Sequence, residues 1–123
     1  MSTVPAEEEI LRRVLDRWKT SVDAHAPADV ASLFIEDAIF QGLHRYSVGR
    51  PGIAEYYDSQ PLGMVAEYKI LETRRLTDTL VLGYMQAEFS FPDRPTVSVY
   101  LSLLLRLVGG DWWIGHYQVS KLP

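Results

Sequence analysis

The sequence predicts an α+β domain, with helices packed on one face of a curved, mostly antiparallel sheet. Two observations carry that prediction. Apolar residues in the first quarter of the chain recur at helical spacing, while from Tyr68 onward they fall into four long runs rich in Val, Tyr, Thr, Phe and Leu. Helices first and strands last is the order of a two-layer fold rather than of alternating βαβ units. At 123 residues, 1–123 make a single domain, large enough for one core without disulfides.

The elements follow in order. Pro5 with Glu7, Glu8 and Glu9 reads as a helix entrance, because proline suits the first turn and acids face the positive end of the helix dipole. Ile10, Leu11, Val14, Leu15, Trp18 and Val22 then keep one apolar face to about His25. Pro27 interrupts, and Ala28 to Phe34 forms a second, short helix. Asp37 to Gln41 is a brief strand, and Leu43 to Val48 is irregular. Gly49-Arg50-Pro51-Gly52 opens a third helix that buries Ile53, Tyr56 and Tyr57 and ends near Pro61-Leu62-Gly63. Tyr68–Leu76, Leu80–Phe91, Thr96–Val108 and Trp112–Leu122 are strands, joined by the turn sequences Thr77-Asp78, Pro92-Asp93-Arg94-Pro95 and Gly109-Gly110-Asp111.

Strict alternation assigns faces. Val81, Gly83, Met85, Ala87 and Phe89 point inward, as do Val97, Val99, Leu101, Leu103, Leu105 and Leu107. The outer face carries Leu82, Tyr84, Gln86, Tyr100 and Leu104, apolar enough to suggest a homodimer interface; a solvated sheet face with scattered aromatics is the plainer reading.

Composition excludes several classes. Cysteine is absent, so disulfides, thiolate metal sites and a cysteine nucleophile are impossible. The net charge is −4 with basic residues scattered, which argues against nucleic acid as a partner. No apolar run reaches the roughly 20 residues of a membrane span, and Met1 to Glu9 lacks a signal-peptide core, so the expected location is the cytoplasm. His25, His44 and His116 have no chelating spacing, and neither a phosphate loop nor a dinucleotide fingerprint is present; no metal and no cofactor are expected.

The segment from Trp112 to Ser120 is the most suggestive. Read as an unbroken strand, it places Trp112, Ile114, His116, Gln118 and Ser120 on one face, an apolar stripe tipped with an imidazole, an amide and a hydroxyl. Such a stripe fits the wall of a ligand pocket.

The chain also resembles a known group of proteins. Its order of elements, together with Val30-Ala31-Ser32-Leu33-Phe34-Ile35-Glu36-Asp37-Ala38-Ile39-Phe40, Gly49-Arg50-Pro51-Gly52-Ile53 and the Trp112–Ser120 segment, resembles the nuclear-transport-factor-2-like superfamily of cone-shaped rolls and its SnoaL-like members. Phe40-Gln41-Gly42-Leu43, Ile53-Ala54-Glu55-Tyr56-Tyr57 and Ile114 to Ser120 are similar to the SgcJ/EcaC group, whose members occur in clusters for enediyne and related natural products. That resemblance implies a role in handling a polyketide-type intermediate, with or without catalysis. It also implies what is missing. The tyrosine, the aspartate base and the protonated aspartic acid of the superfamily's ketosteroid isomerase fall at Trp18, Gly42 and Leu103, so all three roles are vacant. Tyr57 falls where that enzyme has a further pocket tyrosine.

The expected pocket therefore collects Trp18, Phe40, Gln41, Leu43, Tyr46, Tyr57, Leu103, Gln118 and Ser120 around His116, for a small hydrophobic or conjugated natural-product ligand. His116 is the acid–base candidate for a cofactor-free cyclase, isomerase or hydratase; the competing reading is a ring that only shapes the pocket of a binding or assembly module. Ser120, about 13 Å from His116 by strand rise, is no nucleophile activated by it.

Overall fold

The computed structural model describes residues 6–122. The helices are α1 (Ala6–Asp23), α2 (Pro27–Ala31) and α3 (Arg50–Asp58). The strands are β1 (Phe34–Gln41), β2 (Ser47–Val48), β3 (Val65–Thr77), β4 (Leu80–Ser90), β5 (Val97–Val108) and β6 (Asp111–Lys121). One six-stranded sheet runs in the order β2-β1-β6-β5-β4-β3, antiparallel throughout except where β1 lies parallel to β6. This is the expected α+β roll. The helix entrance at Pro5 lies outside the described residues. No helix among the described residues is long and apolar enough to cross a membrane.

Several boundaries differ from the expected ones; β1 begins at Phe34 and β3 at Val65, each three residues early. The second helix stops at Ala31 instead of reaching Phe34, because Phe34 is drawn into the sheet opposite Ile114 of β6. The segment expected to be irregular contains β2, whose Val48 pairs with Ile39.

The helices cover the inner face. Leu11, Val14, Leu15, Trp18 and Val22 of α1 are buried against Val81, Met85, Ala87, Val99, Leu101, Leu103 and Leu105 of the sheet. Close approach depends on Gly83, where an added Cβ would meet Leu11 Cδ2 at 2.5 Å. At the outer edge of the sheet, side chains of α1 engage the backbone of β3: Asp23 accepts from the Ala66 amide at 2.8 Å, and Lys19 donates to the Ala66 carbonyl at 2.6 Å. Glu7 pairs with Arg75 and Asp16 accepts from Tyr68, so this long edge strand is tied to the first helix.

The last strand carries the decisive irregularity. Leu105 pairs with Ile114 and Leu104 pairs with His116, leaving Gly115 as an extra, unpaired residue. That β-bulge reverses the alternation. Trp112 and Ile114 keep the inner side, but beyond Gly115 it is Tyr117 and Val119 that are buried, and His116, Gln118 and Ser120 stand on the outer face. A Cβ at Gly115 would approach Arg106 Cδ at 3.2 Å and Ile35 Cδ1 at 3.3 Å, so glycine suits the crowded backbone there.

Replacing Gly83 with valine drives its side chain into Leu11 and is expected to cost about 1–3 kcal/mol by overpacking. Chemical denaturation measures it; a Gly83→Val protein as stable as the parent would show that α1 is free to lift from the sheet.

Candidate functional site

The open end of the roll is a cup floored by aromatic rings. Trp18 and Phe40 are almost fully buried, as are Tyr57 of α3 and Tyr117 of β6. Phe40 stacks on Tyr117 with ring centroids 4.5 Å apart and planes at 17°, and meets Tyr56 and Tyr57 edge-on at 4.8 and 5.6 Å. Edge-to-face and offset pairs of this kind contribute about 0.5–1.5 kcal/mol each beyond their burial.

Polar tips tie the floor together. The indole Nε1 of Trp18 donates to the Tyr57 hydroxyl at 3.1 Å. The Tyr117 hydroxyl lies close enough to that of Tyr57 for each to influence the other. Burial, the dominant cause, raises the pKa of Tyr57 above the ordinary phenol value, and the Tyr117 hydroxyl and the Trp18 indole only partly oppose it. Tyr117 is held well above that value, again first by burial and then by its proximity to Tyr57. Tyr56 is raised by burial as well, with a backbone hydrogen bond at Leu43 acting the other way. All three phenols are therefore neutral hydrogen-bonding groups near neutral pH, too weakly acidic to exchange protons efficiently there.

Above this floor the hollow holds about 400 Å³ of atom-free space counted out to its open mouth, of which about 50 Å³ admits the centre of a water-sized molecule. Leu43, Gln60, Phe91 and Val97 surround the opening, with Tyr56, Tyr57, Met64, Phe89, Tyr117 and Val119 beneath. No carboxylate and no imidazole is in this lining. Among the described residues, no three His, Asp or Glu side chains converge to hold a metal ion.

Of the residues expected here, Leu43 and Tyr57 line the hollow. Trp18, Phe40 and Leu103 lie beneath it in solid core, with no surface left for a ligand. Gln41 points its amide at the carbonyls of Gly42 and His44 and braces the loop that follows β1. Tyr46 is 62% exposed and stands clear of the opening. His116, Gln118 and Ser120 do not face the cup at all, because the Gly115 bulge turns them outward; His116 Nε2 lies 3.3 Å from the Gln118 amide oxygen on the outer surface. The expectation that His116 lines the pocket is thereby corrected: its ring stands on the outer face.

Strand alternation put Tyr117 on the wrong face, and Tyr56, read as buried on α3, was not assigned to the pocket; nor were Gln60, Met64, Phe89, Phe91, Val97 and Val119, which complete the lining. One signal pointed to Tyr117: a glycine inside a strand is a bulge marker, and Gly115 precedes it by two. A Cβ at Gly42, where the resemblance implies the isomerase's base, would meet the ring of Tyr56 at 2.6 Å, so a side chain there requires that ring to shift.

Comparison with solved structures settles the architecture. The chain matches a ketosteroid isomerase-like protein from Erwinia carotovora atroseptica at TM-score 0.82 and 19% identity, covering 98% of this chain and 99% of that one. It has the nuclear-transport-factor-2-like fold. An NTF2-like protein of unknown function from Shewanella oneidensis superposes at TM-score 0.80 with 13% identity, over 92% of this chain and 98% of that one. A candidate scytalone dehydratase from Novosphingobium aromaticivorans does so at 0.75 and 17%, over 95% and 85% of the two chains. No family model matches the chain, and no match was found among curated proteins.

Two measurements check the aromatic floor. Tyr57→Phe removes the acceptor of the buried Trp18 indole and is expected to cost about 1–3 kcal/mol in denaturation, the penalty of an unsatisfied donor. The raised phenols also give a pH dependence. Folded Tyr57 and Tyr117 stay neutral where unfolded tyrosines ionise near pH 10, so their contribution is complete below that pH and is lost as pH rises toward their folded values. A tyrosinate absorbance titration is expected to leave these two silent until the fold melts; ionisation of every tyrosine with native circular dichroism would contradict the arrangement.

Proposed function

We propose that this chain binds a neutral, flat, largely apolar small molecule through the mouth of the cone and holds it without an acid–base residue of its own. The observation that carries this reading is the lining: apolar walls with three neutral phenols and one amide as the polar groups. A hydrogen-bond acceptor on the ligand, such as a ketone or quinone oxygen, suits the tyrosine hydroxyls. A carboxylate does not, since no cation lines the hollow.

Size narrows the ligand further. The enclosed space is smaller than the roughly 150 Å³ that an enclosed benzene site requires, so a ring enters only as side chains at the mouth move aside. The fit is one terminal ring inserted between Tyr56 and Phe91, with the rest of a longer molecule lying across Leu43 and Val97 at the mouth. The resemblance of its sequence words to the SgcJ/EcaC group supports a conjugated polyketide-type intermediate, bound or sequestered during natural-product assembly. Catalysis by His116 has no support in this geometry, and a binding role is the reading preferred here.

Calorimetric titration with polyene, quinone and aromatic-polyketide probes tests the proposal. Saturable one-to-one binding is expected, weakened about tenfold or more when Phe91→Asp puts a charge in the mouth and unchanged in His116→Gln. No saturable binding by any of these probes, or loss of binding in His116→Gln, would overturn it.

A further inference from the structure

We infer that a trough between α2 and α3, bounded by Trp113 of β6, is a second ligand site that takes an apolar monocarboxylate with its head on Arg50. The trough uses the first turns of α3 and the cup uses the last, and the two share no lining residue. The inference therefore does not depend on the ligand proposed for the cup.

The walls follow from helical spacing. Ala28 and Ala31 of α2, three residues apart, share one side of that helix, and Pro51 and Ala54 of α3 complete the lining with the same spacing. Small side chains at these positions leave about 400 Å³ that the centre of a water-sized molecule can reach, against about 50 Å³ in the cup. That volume lies within the roughly 300–1,000 Å³ of ordinary ligand pockets. Two larger side chains border the trough, and each is pinned to a backbone carbonyl. The Trp113 indole donates to Val108 at 3.3 Å, and Arg50 Nε donates to Phe34 at 2.8 Å. The guanidinium carbon stands 5.5 Å from the centre of the Trp113 ring, a cation–π contact that holds the two together. A ligand thus meets groups already in position.

Charge selects the occupant. Arg50 is the one ionisable group in the lining, and among the described residues neither of its Nη atoms has a hydrogen-bond or ion-pair partner. Its neighbours one helical turn on are Ile53 and Ala54, and the first turn of α3 carries no acid, so nothing on the helix neutralises it. Ser32, the other polar side chain in the lining, spends its hydroxyl hydrogen on the Asp29 carbonyl at 2.6 Å. What remains is a two-pronged cationic donor beside apolar walls. The Nη pair matches the two oxygens of a carboxylate, and the alkyl or aryl body then lies along Ala28, Ala31 and Ala54. A single positive charge suits a monoanion. A phosphate dianion would bring an unmatched charge against apolar walls, in a chain whose net charge is already −4. A neutral apolar body would strip water from the guanidinium and put nothing in its place.

Calorimetric titration with 2-naphthoate, beside uncharged 2-naphthamide, is the test. Saturable one-to-one binding of 2-naphthoate is expected, with a dissociation constant of about 1 mM or lower and the amide about tenfold weaker or more. Ala28→Glu sets an acid in the trough at an exposed position in the first turn of α2, where a carboxylate suits the helix. The fold is then kept, as circular dichroism checks, while affinity falls about tenfold or more. Arg50→Gln is expected to lose binding to the same extent. Nuclear magnetic resonance shifts on adding 2-naphthoate are expected at Ala28, Ala31, Ala54 and the Trp113 indole. No saturable binding, equal binding of the amide, or binding that survives Ala28→Glu overturns the site. Shifts confined to Tyr57, Phe91 and Val97 assign the carboxylate to the cup and overturn it as well. Binding of an acidic peptide but not of 2-naphthoate overturns the small-molecule occupant.

Discussion

The bulge at Gly115 inserts one residue opposite the step from Leu104 to Leu105, and every side chain of β6 beyond it changes sides. Both surfaces of the sheet depend on that step. Inside, it brings Tyr117 under Phe40 and against Tyr57, which completes the aromatic floor. Outside, it places His116, Gln118 and Ser120 in line with Leu104, Ser102 and Tyr100. With an unbroken strand the cup would have an imidazole wall and no second buried phenol. Glycine at position 115 spares the ends of the Arg106 and Ile35 side chains a close contact there.

Most of the architecture was legible in the sequence because it rests on periodicity. The spacing of Leu11, Val14, Leu15, Trp18 and Val22 has no reading other than an amphipathic helix, and these are the residues α1 buries. The aliphatic series Val99, Leu101, Leu103 and Leu105 fixes the inner face of β5 in the same way. The site was less legible. A pocket wall depends on the absolute phase of a strand, and one bulge inverts that phase without disturbing the hydrophobic pattern on either side of it. Trp18 and Leu103 show a different difficulty. Inward orientation was read correctly for both, but orientation does not distinguish a residue that lines a hollow from one packed beneath it; volume does, and volume belongs to the assembled core.

The positions that correspond by resemblance to the isomerase's polar groups show how the cup came to be neutral. At the helix position stands Trp18, whose indole donates a hydrogen bond and cannot exchange protons near neutrality. At the strand position stands Leu103, fully buried. At the position of the base stands Gly42, and a side chain there requires the ring of Tyr56 to shift. A carboxylate at any of these positions would need hydrogen-bond or cationic partners in a region lined by apolar side chains and neutral phenols.

Rigidity is unevenly distributed in this cup, and that decides how it can accept a molecule. The floor is built from rings with two side-chain torsions each, locked by mutual contacts that run from Phe34 and Phe40 to Tyr117 and from Trp18 to Phe89. Opening space there means separating several ring pairs at once. The mouth is different: Gln60 and Leu43 are unlinked to one another and have flexible side chains, and Met64 beneath them adapts its shape at little cost. Leu43 is 42% exposed even without a ligand. Space for a ring is therefore gained by displacing the mouth, while the phenols beneath keep fixed positions and orient whatever enters. Selectivity in such a site comes from the floor, and tolerance for the bulk of the ligand comes from the rim.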